Sequence, residues 1–214
     1  MTLTSLNHNG ATNSVEWKEY WQRMDEWGSS GSLNQDVRAD PRGWQNLSHA
    51  ARAEWSQRQN GPMIWQHESG MKDGNGRPFE EAAIAAEGEL ARRGGKRVSD
   101  PRGWGRWCGR VFQGRGCSLA IISVQMPARS DNVGSAWKQQ EKTLAKEAEQ
   151  TKGTTPGDGY EGRPDRCFMA ELGIALAALR AKGVMVILGG DWNMGWREGC
   201  RGGRVLREWA EATN

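Results

Sequence analysis

The sequence predicts an α/β fold, and three observations support this prediction. Residues 184–188 are five consecutive apolar residues, three of them β-branched, which predicts a strand buried on both faces. A segment with apolar residues at helical spacing precedes this strand and begins at Asp165, a favourable helix-capping residue. Shorter apolar segments at residues 3–6, 62–65 and 118–124 predict further strands. Helical patterns occur elsewhere along the chain, as in an α/β fold.

The remaining elements follow from periodicity and from turn residues. Ser14 precedes a helix over residues 15–27, whose aromatic residues recur every three or four positions and predict a core-facing side. We expect the small residues 28–32 to form a flexible break. Further predicted elements are helices over residues 47–58, 78–93 and 135–151 and a hairpin with arms 106–112 and 118–124.

Composition and charge narrow the classes of function. The net charge of +3 is too small to indicate nucleic-acid binding by itself. No pair of cysteines has CxxC spacing and no HxxxH pattern occurs, so a structural zinc ion is not expected. The N-terminal region lacks the apolar segment of a signal peptide, and no apolar run is long enough to span a membrane. We therefore expect an intracellular protein with reduced thiols and no membrane partner.

Basic residues concentrate between residues 92 and 115, where the only acid is Asp100. Arginines interleaved with tryptophans suit a phosphate backbone with exposed bases. The candidate nucleic-acid contacts are Arg92, Arg93, Arg97, Arg102, Arg106 and Trp104. The alternative is a solvated basic hairpin whose tryptophans turn into the core, and the pattern alone does not decide between the two.

The predicted strands end in small polar or acidic side chains. Ligands bind beyond the carboxyl ends of strands in open α/β sheets, so these side chains are candidates for chemistry. They are Asn7, Asn9, Glu68, Gln125, Asp191 and Asn193. If the strands are neighbours, their carboxylate and amide oxygens converge, and such oxygens suit Mg²⁺ and a substrate phosphate. The simpler alternative for Asp191 is an Asx-turn that only closes the strand after Gly189 and Gly190 have turned the chain.

Four motifs follow one another along the chain. They are Ser5-Leu-Asn-His-Asn-Gly10, Gln66-His-Glu-Ser69, Ile122-Ser-Val-Gln-Met-Pro127 and Ile187-Leu-Gly-Gly-Asp-Trp-Asn193. Together they resemble the endonuclease/exonuclease/phosphatase superfamily, and within it the endonuclease domains of non-LTR retroelements. The resemblance implies a two-sheet α/β sandwich and cleavage of phosphoester bonds with Mg²⁺, or with Mn²⁺ as the alternative ion. It also implies nucleic acid, in the first place DNA, as the partner, and it is compatible with a nuclear location.

The resemblance also implies roles for single residues. Glu68 takes the position of the metal-binding glutamate, and Asn7 that of an asparagine that organises the metal site. Asp191 takes the position of the aspartate that orients or activates the attacking nucleophile, and Asn193 that of the asparagine that contacts the scissile phosphate. Gln125 stands where the family commonly has tyrosine, so it can hydrogen-bond a phosphate but does not titrate.

The C-terminal part departs further from the family pattern. The family ends with another aspartate and a Ser-Asp-His motif, but no histidine follows Asn193 here. We therefore expect a single partial domain over residues 1–214, incomplete at its C-terminus, with an atypical insertion at about residues 33–61. General acid–base help contributes roughly 10²–10⁴ in rate, so we expect weak or no activity from this chain alone. A C-terminal continuation or a partner chain would complete such a fold.

Three other functions stay open on the sequence. The chain could be a non-catalytic nucleic-acid-binding module that uses residues 92–115, with an affinity that falls steeply with salt. It could be a nucleotide-binding α/β domain with Asp191 in a Walker-B role, although GxxxxGK[ST] does not occur. It could also be a fragment that does nothing alone.

Overall fold

The elements below come from a computed structural model, which describes residues 1–7, 14–35, 62–68, 70–72, 79, 81–151, 162–194 and 201–213. The strands within these ranges are β1 (Leu3–Asn7), β2 (Gly31–Gln35), β3 (Met63–His67), β4 (Ala83–Glu87), β5 (Gly94–Ser99), β6 (Trp107–Gln113), β7 (Ser118–Gln125) and β8 (Val184–Asp191). The helices there are α1 (Ser14–Glu26), α2 (Gly88–Arg92), α3 (Ala136–Thr151), α4 (Pro164–Arg180) and α5 (Arg201–Ala212).

The strands form two four-stranded mixed sheets. The first has the order β1-β2-β4-β3, and only β1 and β2 are parallel. The second has the order β5-β6-β7-β8, and only β7 and β8 are parallel. Helices connect the strands of each parallel pair, as a crossover between parallel strands requires. The two sheets contact each other chiefly through β2, β7 and β8, so the molecule is a two-sheet α/β sandwich.

Alternating side chains of the strands build the core between the sheets, because successive residues of a strand point to opposite faces. This inner cluster combines residues of β2 and β4 with residues of β6 and β7. Its buried members include Leu33, Ile84, Ala86, Cys108, Phe112 and Ile121. Burial raises the pKa of the Cys108 thiol well above its ordinary value, so this side chain stays neutral in the folded protein.

Helices cover the outer face of each sheet. On the first sheet, Tyr20, Trp21 and Met24 of α1 pack against Ala83 and Ala85 of β4. On the second, α4 and α5 pack against β6 and β7, with the buried side chains Phe168, Leu172, Leu176, Leu206, Trp107, Ala120, Ile122 and Val124. The predicted apolar face of the helix before β8 is confirmed by this packing. None of the described helices combines the length and the apolar character that crossing a membrane requires.

Several predicted elements match the structure, and others differ from it. The structure confirms the predicted strands at 3–6 and 62–65, which are β1 and β3, the helices at 15–27 and 135–151, and the hairpin. The helix predicted over 78–93 is wrong, because Ala83, Ala85 and Ala86 lie in the buried strand β4 and, of the described residues in this range, only Gly88–Arg92 is helical. The flexible break is wrong from residue 31, where the central strand β2 begins. Gly31 is needed there because a Cβ would lie 2.9 Å from the backbone oxygen of Ala85. The helix predicted at 47–58 lies outside the described residues.

The strand β8 and the helix before it also differ from the prediction. β8 pairs only with β7 and is therefore an edge strand among the described residues, with Met185 55% exposed rather than buried. Asp165 does not cap α4. The helix begins at Pro164, and the carboxylate of Asp165 accepts hydrogen bonds from Arg163 at 3.0 and 2.6 Å. The first three residues of the predicted insertion at 33–61 belong to β2.

Candidate active site at the strand ends

Four strands carry polar side chains to one edge of the sandwich. Asn7 of β1 pairs in register with Gln35 of β2, and Gln125 of β7 pairs with Asp191 of β8. The side chain of Asn7 donates from Nδ2 to Oδ2 of Asp191 at 3.0 Å, which joins the first sheet to the second. The structure thus brings together Asn7 and Asp191, two residues that are far apart in the sequence.

Two amides hold the carboxylate of Asp191. Besides Asn7, the backbone N–H of Asn193 donates to its Oδ1 at 2.9 Å, so the Asx-turn is present as well. Asn193 adopts the left-handed conformation, with φ of 46°, which asparagine tolerates better than most residues. Its side chain donates from Nδ2 to the carbonyl oxygen of Met126 at 2.5 Å. These contacts fix Asp191 and Asn193 relative to each other at a solvent-accessible edge.

The two glycines before Asp191 allow close packing instead of a turn. Both lie in β8. A Cβ on Gly189 would lie 2.7 Å from Cδ1 of Leu33, so this glycine lets β2 approach β8. Gly190 has φ of 143°, and a Cβ there would overlap the carbonyl oxygen of Val124 on β7. Gly189 therefore brings the two sheets together, and Gly190 lets β8 pair closely with β7, directly before Asp191.

Gln35 is a site residue that the sequence analysis missed. Its side chain is 2% exposed and donates from Nε2 to Oγ of Ser123 at 3.1 Å, across the space between the sheets. Its Oε1 accepts a hydrogen bond from Ser5 at 3.3 Å, and Ser123 in turn donates to the Asn34 carbonyl oxygen at 2.9 Å. The available signal was a short run with polar residues at its end, directly after the first helix, which is where a parallel partner for β1 is expected.

Glu68 does not lie in this cluster, contrary to the sequence analysis. β1 and β3 are the two edge strands of the first sheet, and three strand spacings between them amount to about 14 Å. Glu68 instead accepts a hydrogen bond on Oε1 from Oγ of Ser99 at 2.5 Å. Its neighbour His67 pairs with Glu81 at 3.0 Å. The prediction failed because β2, which lies beside β1, was not recognised as a strand.

Gln125 is the last residue of β7, beside Asp191 of β8. Its side chain is buried, and its backbone N–H donates to the carbonyl oxygen of Arg106 at 2.7 Å. The next backbone N–H, that of Met126, donates to the carbonyl oxygen of Asp191 at 2.9 Å. A direct contact of Gln125 with a phosphate stays a prediction. Asn9 lies outside the described residues.

Three residues of the basic stretch form one network, in which Arg106 and Trp104 are buried and Arg102 is 20% exposed. The side chain of Arg106 is 1% exposed and donates to Asp100 at 2.7 Å and to Glu171 at 2.5 Å. Arg102 pairs with Glu147 and Glu171, and the guanidinium groups of both arginines lie 4.8 Å from the Trp104 ring centroid. Burial opposes the charge of Arg106, but these carboxylates outweigh it and raise the pKa of the guanidinium. The prediction that Arg106 and Trp104 contact nucleic acid is therefore corrected, whereas a contact of Arg102 stays a prediction.

The other three candidates of this stretch lie at the surface. Arg92 and Arg93 both pair with Glu89, at 3.6 and 2.8 Å, and remain largely exposed. Arg97 is exposed on β5. The stretch is thus part basic surface and part buried network, which combines the two alternatives that the sequence left open.

The described residues do not form a preformed metal site. Both oxygens of Asp191 already accept hydrogen bonds from amides, and its described partners Asn7 and Asn193 are uncharged. In the described ranges, no group of three or more His, Cys, Asp or Glu side chains has the arrangement to hold a metal ion. Mg²⁺ is usually held by one or two carboxylates with water and substrate phosphate. By itself the cluster offers one fixed carboxylate as an acceptor and amides that can hydrogen-bond a phosphate.

Three features define the class of fold: two mixed sheets that face each other, helices on their outer faces, and polar side chains at one edge where strands of both sheets end. The fold is the two-sheet α/β sandwich of the endonuclease/exonuclease/phosphatase type, as the motifs implied. No protein-family model and no curated protein sequence matches this chain.

Solved structures share this fold at low sequence identity. The chain is similar to an AP endonuclease from Leishmania major, with 10% identity and a TM-score of 0.57, over 99% of this chain and 66% of that one. It is similar to an endonuclease/exonuclease/phosphatase family protein from Leptotrichia buccalis, with 12% identity and a TM-score of 0.51, over 100% of this chain and 72% of that one. The endonuclease domain of TRAS1, a telomere-specific non-LTR retrotransposon, is 12% identical with a TM-score of 0.47, over 98% and 70% of the two chains. The first two comparisons establish the fold.

Proposed function

We propose that this chain is a domain of the phosphodiester-hydrolase lineage that hydrolyses phosphodiesters weakly or not at all by itself. The observation that carries this proposal is the cluster of Asn7, Asp191 and Asn193, where two amides fix one carboxylate at the joint edge of both sheets. This edge is where ligands bind in open α/β sheets.

The expected roles follow from the donors and acceptors present. Asp191 can accept a hydrogen bond from an attacking water and so orient it, while the amide of Asn193 can hydrogen-bond a phosphate oxygen. No second group that could exchange a proton with the reactants lies beside them among the described residues. The one histidine in the described ranges, His67, is paired with Glu81 on the β3 side. Absence of such help costs roughly 10²–10⁴ in rate, which is why we expect weak turnover.

The proposed substrate is nucleic acid, in the first place DNA, and the proposed ion is Mg²⁺ with Mn²⁺ as the alternative. Because the similar protein from Leishmania major is an AP endonuclease, DNA with an abasic site is the probe of choice. We also propose that residues 1–214 form one partial domain and that a continuation or a partner chain would complete its site. The insertion of this domain would begin after Gln35.

The test is a nicking assay on supercoiled plasmid with and without abasic sites, in Mg²⁺ and in Mn²⁺. We expect at most slow nicking by the protein, and its complete loss in Asp191→Ala, because that variant lacks the only carboxylate of the cluster. Asp131→Ala is the matched control, because Asp131 is an exposed carboxylate in the loop before α3.

Each outcome of the assay is informative. Fast nicking that requires Asp191 would contradict the proposed weak activity but support the lineage. Nicking that is equal in the protein and in Asp191→Ala would place the activity elsewhere and contradict the site. No nicking together with retained DNA binding would favour the second candidate function.

That second candidate is a non-catalytic nucleic-acid-binding module. The observation in its favour is the exposed basic surface around α2 and β5, where the side chain of Arg92 is 64% exposed. In this case DNA affinity falls steeply as salt rises, since phosphate contacts release counterions. Asp191→Ala would leave that affinity unchanged or slightly raised, because it removes a negative charge.

A further inference from the structure

Two arginines face each other across neighbouring strands. Arg97 of β5 and Arg110 of β6 are directly opposite in the antiparallel register. Like charges directly opposite each other on a sheet destabilise the strand pair. Such a pair therefore calls for a compensating anion.

No carboxylate supplies that compensation among the described residues. Neither Arg97 nor Arg110 forms an ion pair with any residue in those ranges, whereas Arg93, Arg102 and Arg106 of the same stretch each pair with a glutamate or an aspartate. Burial lowers the pKa of Arg110, and the positive charge of Arg97 lowers it further. The two guanidinium groups thus feel each other without a neutralising partner from the described chain.

The position of Arg110 is fixed by a buried amide. Gln66 is 2% exposed and donates from Nε2 to the Gly109 carbonyl oxygen at 3.0 Å. This contact turns its Oε1 towards Arg110, whose Nε donates to it at 3.2 Å. With Nε engaged, the terminal nitrogens of the guanidinium stay available for a ligand. The arginine is therefore held in place before any ligand arrives.

The arginine pair lies on the side of the sandwich formed by β3 and β5. Ser99 is two residues from Arg97 on the same strand and therefore on the same face. Its hydroxyl donates to Glu68, which follows β3 at the strand-end edge. Arg97 is thus two residues from the end of β5 at the edge that carries the candidate active site. β5 and the strand of Asp191, β8, are the two outer strands of the second sheet, so the arginine pair lies on the other side of the sandwich.

We propose that Arg97 and Arg110 together bind a phosphate group of a nucleic-acid strand that extends from the strand-end edge. This inference rests on the proposed function and names a binding site for its substrate. Guanidinium groups match phosphate oxygens with paired, charge-assisted hydrogen bonds, and a phosphate between the two arginines removes their repulsion. A free phosphate has the same chemistry, and the experiment separates the two sources.

The experiment measures binding of a labelled oligonucleotide, single-stranded and duplex, by fluorescence anisotropy without divalent metal. The double variant Arg97→Gln/Arg110→Gln is compared with Lys96→Gln/Arg115→Gln, which removes the same charge from exposed positions on β5 and in the turn between β6 and β7. We expect at least about a tenfold loss for the first pair, since one charged hydrogen bond contributes about 1.5 kcal/mol or more. The control should lose less than about threefold.

Salt dependence and a single variant complete the test. Log affinity falls linearly with log salt, and we measure this slope between about 50 and about 200 mM salt. The slope should become less negative by about 1 in the arginine variant and stay unchanged in the control. Arg97→Gln alone should show part of the same loss with an unchanged or raised melting temperature, because it removes the like charge opposite Arg110 and breaks no ion pair among the described residues. This variant keeps the test valid if the double variant fails to fold.

Four results would overturn the proposal: no binding by the unmodified protein, equal losses in both double variants, an unchanged salt slope, or complete competition by inorganic phosphate at an affinity equal to that of the oligonucleotide. The last result would assign the pair to free phosphate. Equal nicking by the protein and by Asp191→Ala, together with intact arginine-dependent binding, would contradict only the candidate active site, so the two proposals fail separately.

Discussion

At the scale of single residues, Gly190 shows how backbone geometry shapes the site. Its φ of 143° lies in a region that residues with a side chain rarely adopt. The space that a Cβ would fill holds the Val124 carbonyl oxygen of the neighbouring strand. The residue after it is Asp191, so a shift of β8 at this point would displace the carboxylate of the candidate site.

Gly190→Ala should therefore destabilise the protein through both strain and overlap. We expect the free energy of unfolding to fall by about 3 kcal/mol, the sum of a backbone term and an overpacking term. Gly183→Ala is the control, because Gly183 also has a positive φ, 70°, but open space around its Cβ position. It should cost about 1 kcal/mol. Urea unfolding of both variants measures the difference, and equal costs would contradict the overlap.

At the scale of elements, a buried ion network joins the loop before β6 to two helices. Arg106 bonds Asp100 within the loop and Glu171 on α4, and Arg102 reaches Glu147 on α3. The carbonyl oxygen of Arg106 also accepts the backbone hydrogen bond from Gln125. The network thus connects the helical layer to the strand that lies beside Asp191.

Removing Arg106 should cost far more than removing a surface arginine. Arg106→Ala leaves the fully buried Asp100 carboxylate without its arginine, and we expect a loss of about 3–5 kcal/mol in unfolding free energy. Arg93→Ala breaks an exposed pair with Glu89 and should cost less than about 1 kcal/mol. Chemical unfolding of the two variants provides the measurement. Similar small losses in both would mean that the network contributes little.

The sequence predicted those elements whose local pattern agrees with their burial. Helices α1, α3 and α4 and the β6–β7 hairpin carry clear periodicity or turn residues. The strands β2 and β4 escaped prediction because they lie in the middle of the first sheet, where small residues fit close packing and override local propensity. Ala83–Glu87 has the composition of a helix but is buried on both faces.

The candidate site was predictable in part for the same reason. Asn7 and Asp191 were found because each follows a strand that the sequence marks clearly. Gln35 was missed because its strand β2 was not predicted. Glu68 was misplaced because local sequence patterns do not determine the order of the strands in a sheet. The basic stretch could not be divided into surface and core, since only tertiary contacts distinguish Arg97 from Arg106.

At the scale of the whole molecule, the free energy of unfolding should fall as the pH becomes alkaline. Burial raises the pKa of Cys167 to about 11, and it also raises those of Cys108 and Tyr20. These groups hold their protons in the folded protein, whereas the unfolded chain releases them at ordinary pKa values. The contribution of Cys167 is complete below about pH 8 and is lost as pH rises through about 9 to 11, and those of Cys108 and Tyr20 continue to fall at higher pH.

Urea unfolding at pH 7 and at about pH 10.5, in reducing buffer, measures this loss. The midpoint should be lower at the higher pH, and Cys167→Ala should make the difference between the two midpoints smaller. Cys117→Ala is the control, because this thiol is exposed and should leave the difference unchanged. A difference that is the same in all three proteins would contradict a role for the buried thiol.

We propose that one fixed carboxylate, Asp191, defines a site with weak phosphodiester hydrolysis at best. The most direct measurement is the single-turnover cleavage rate of abasic DNA, with protein in excess over DNA and Mg²⁺ present, for the unmodified chain and for Asp191→Asn. We expect at most slow cleavage by the unmodified chain and none by Asp191→Asn, because this substitution removes the carboxylate that would orient the attacking water. Equal cleavage rates in the two proteins would contradict a site at Asp191, and a rate of about 1 per second or more in the unmodified chain would contradict the weak activity.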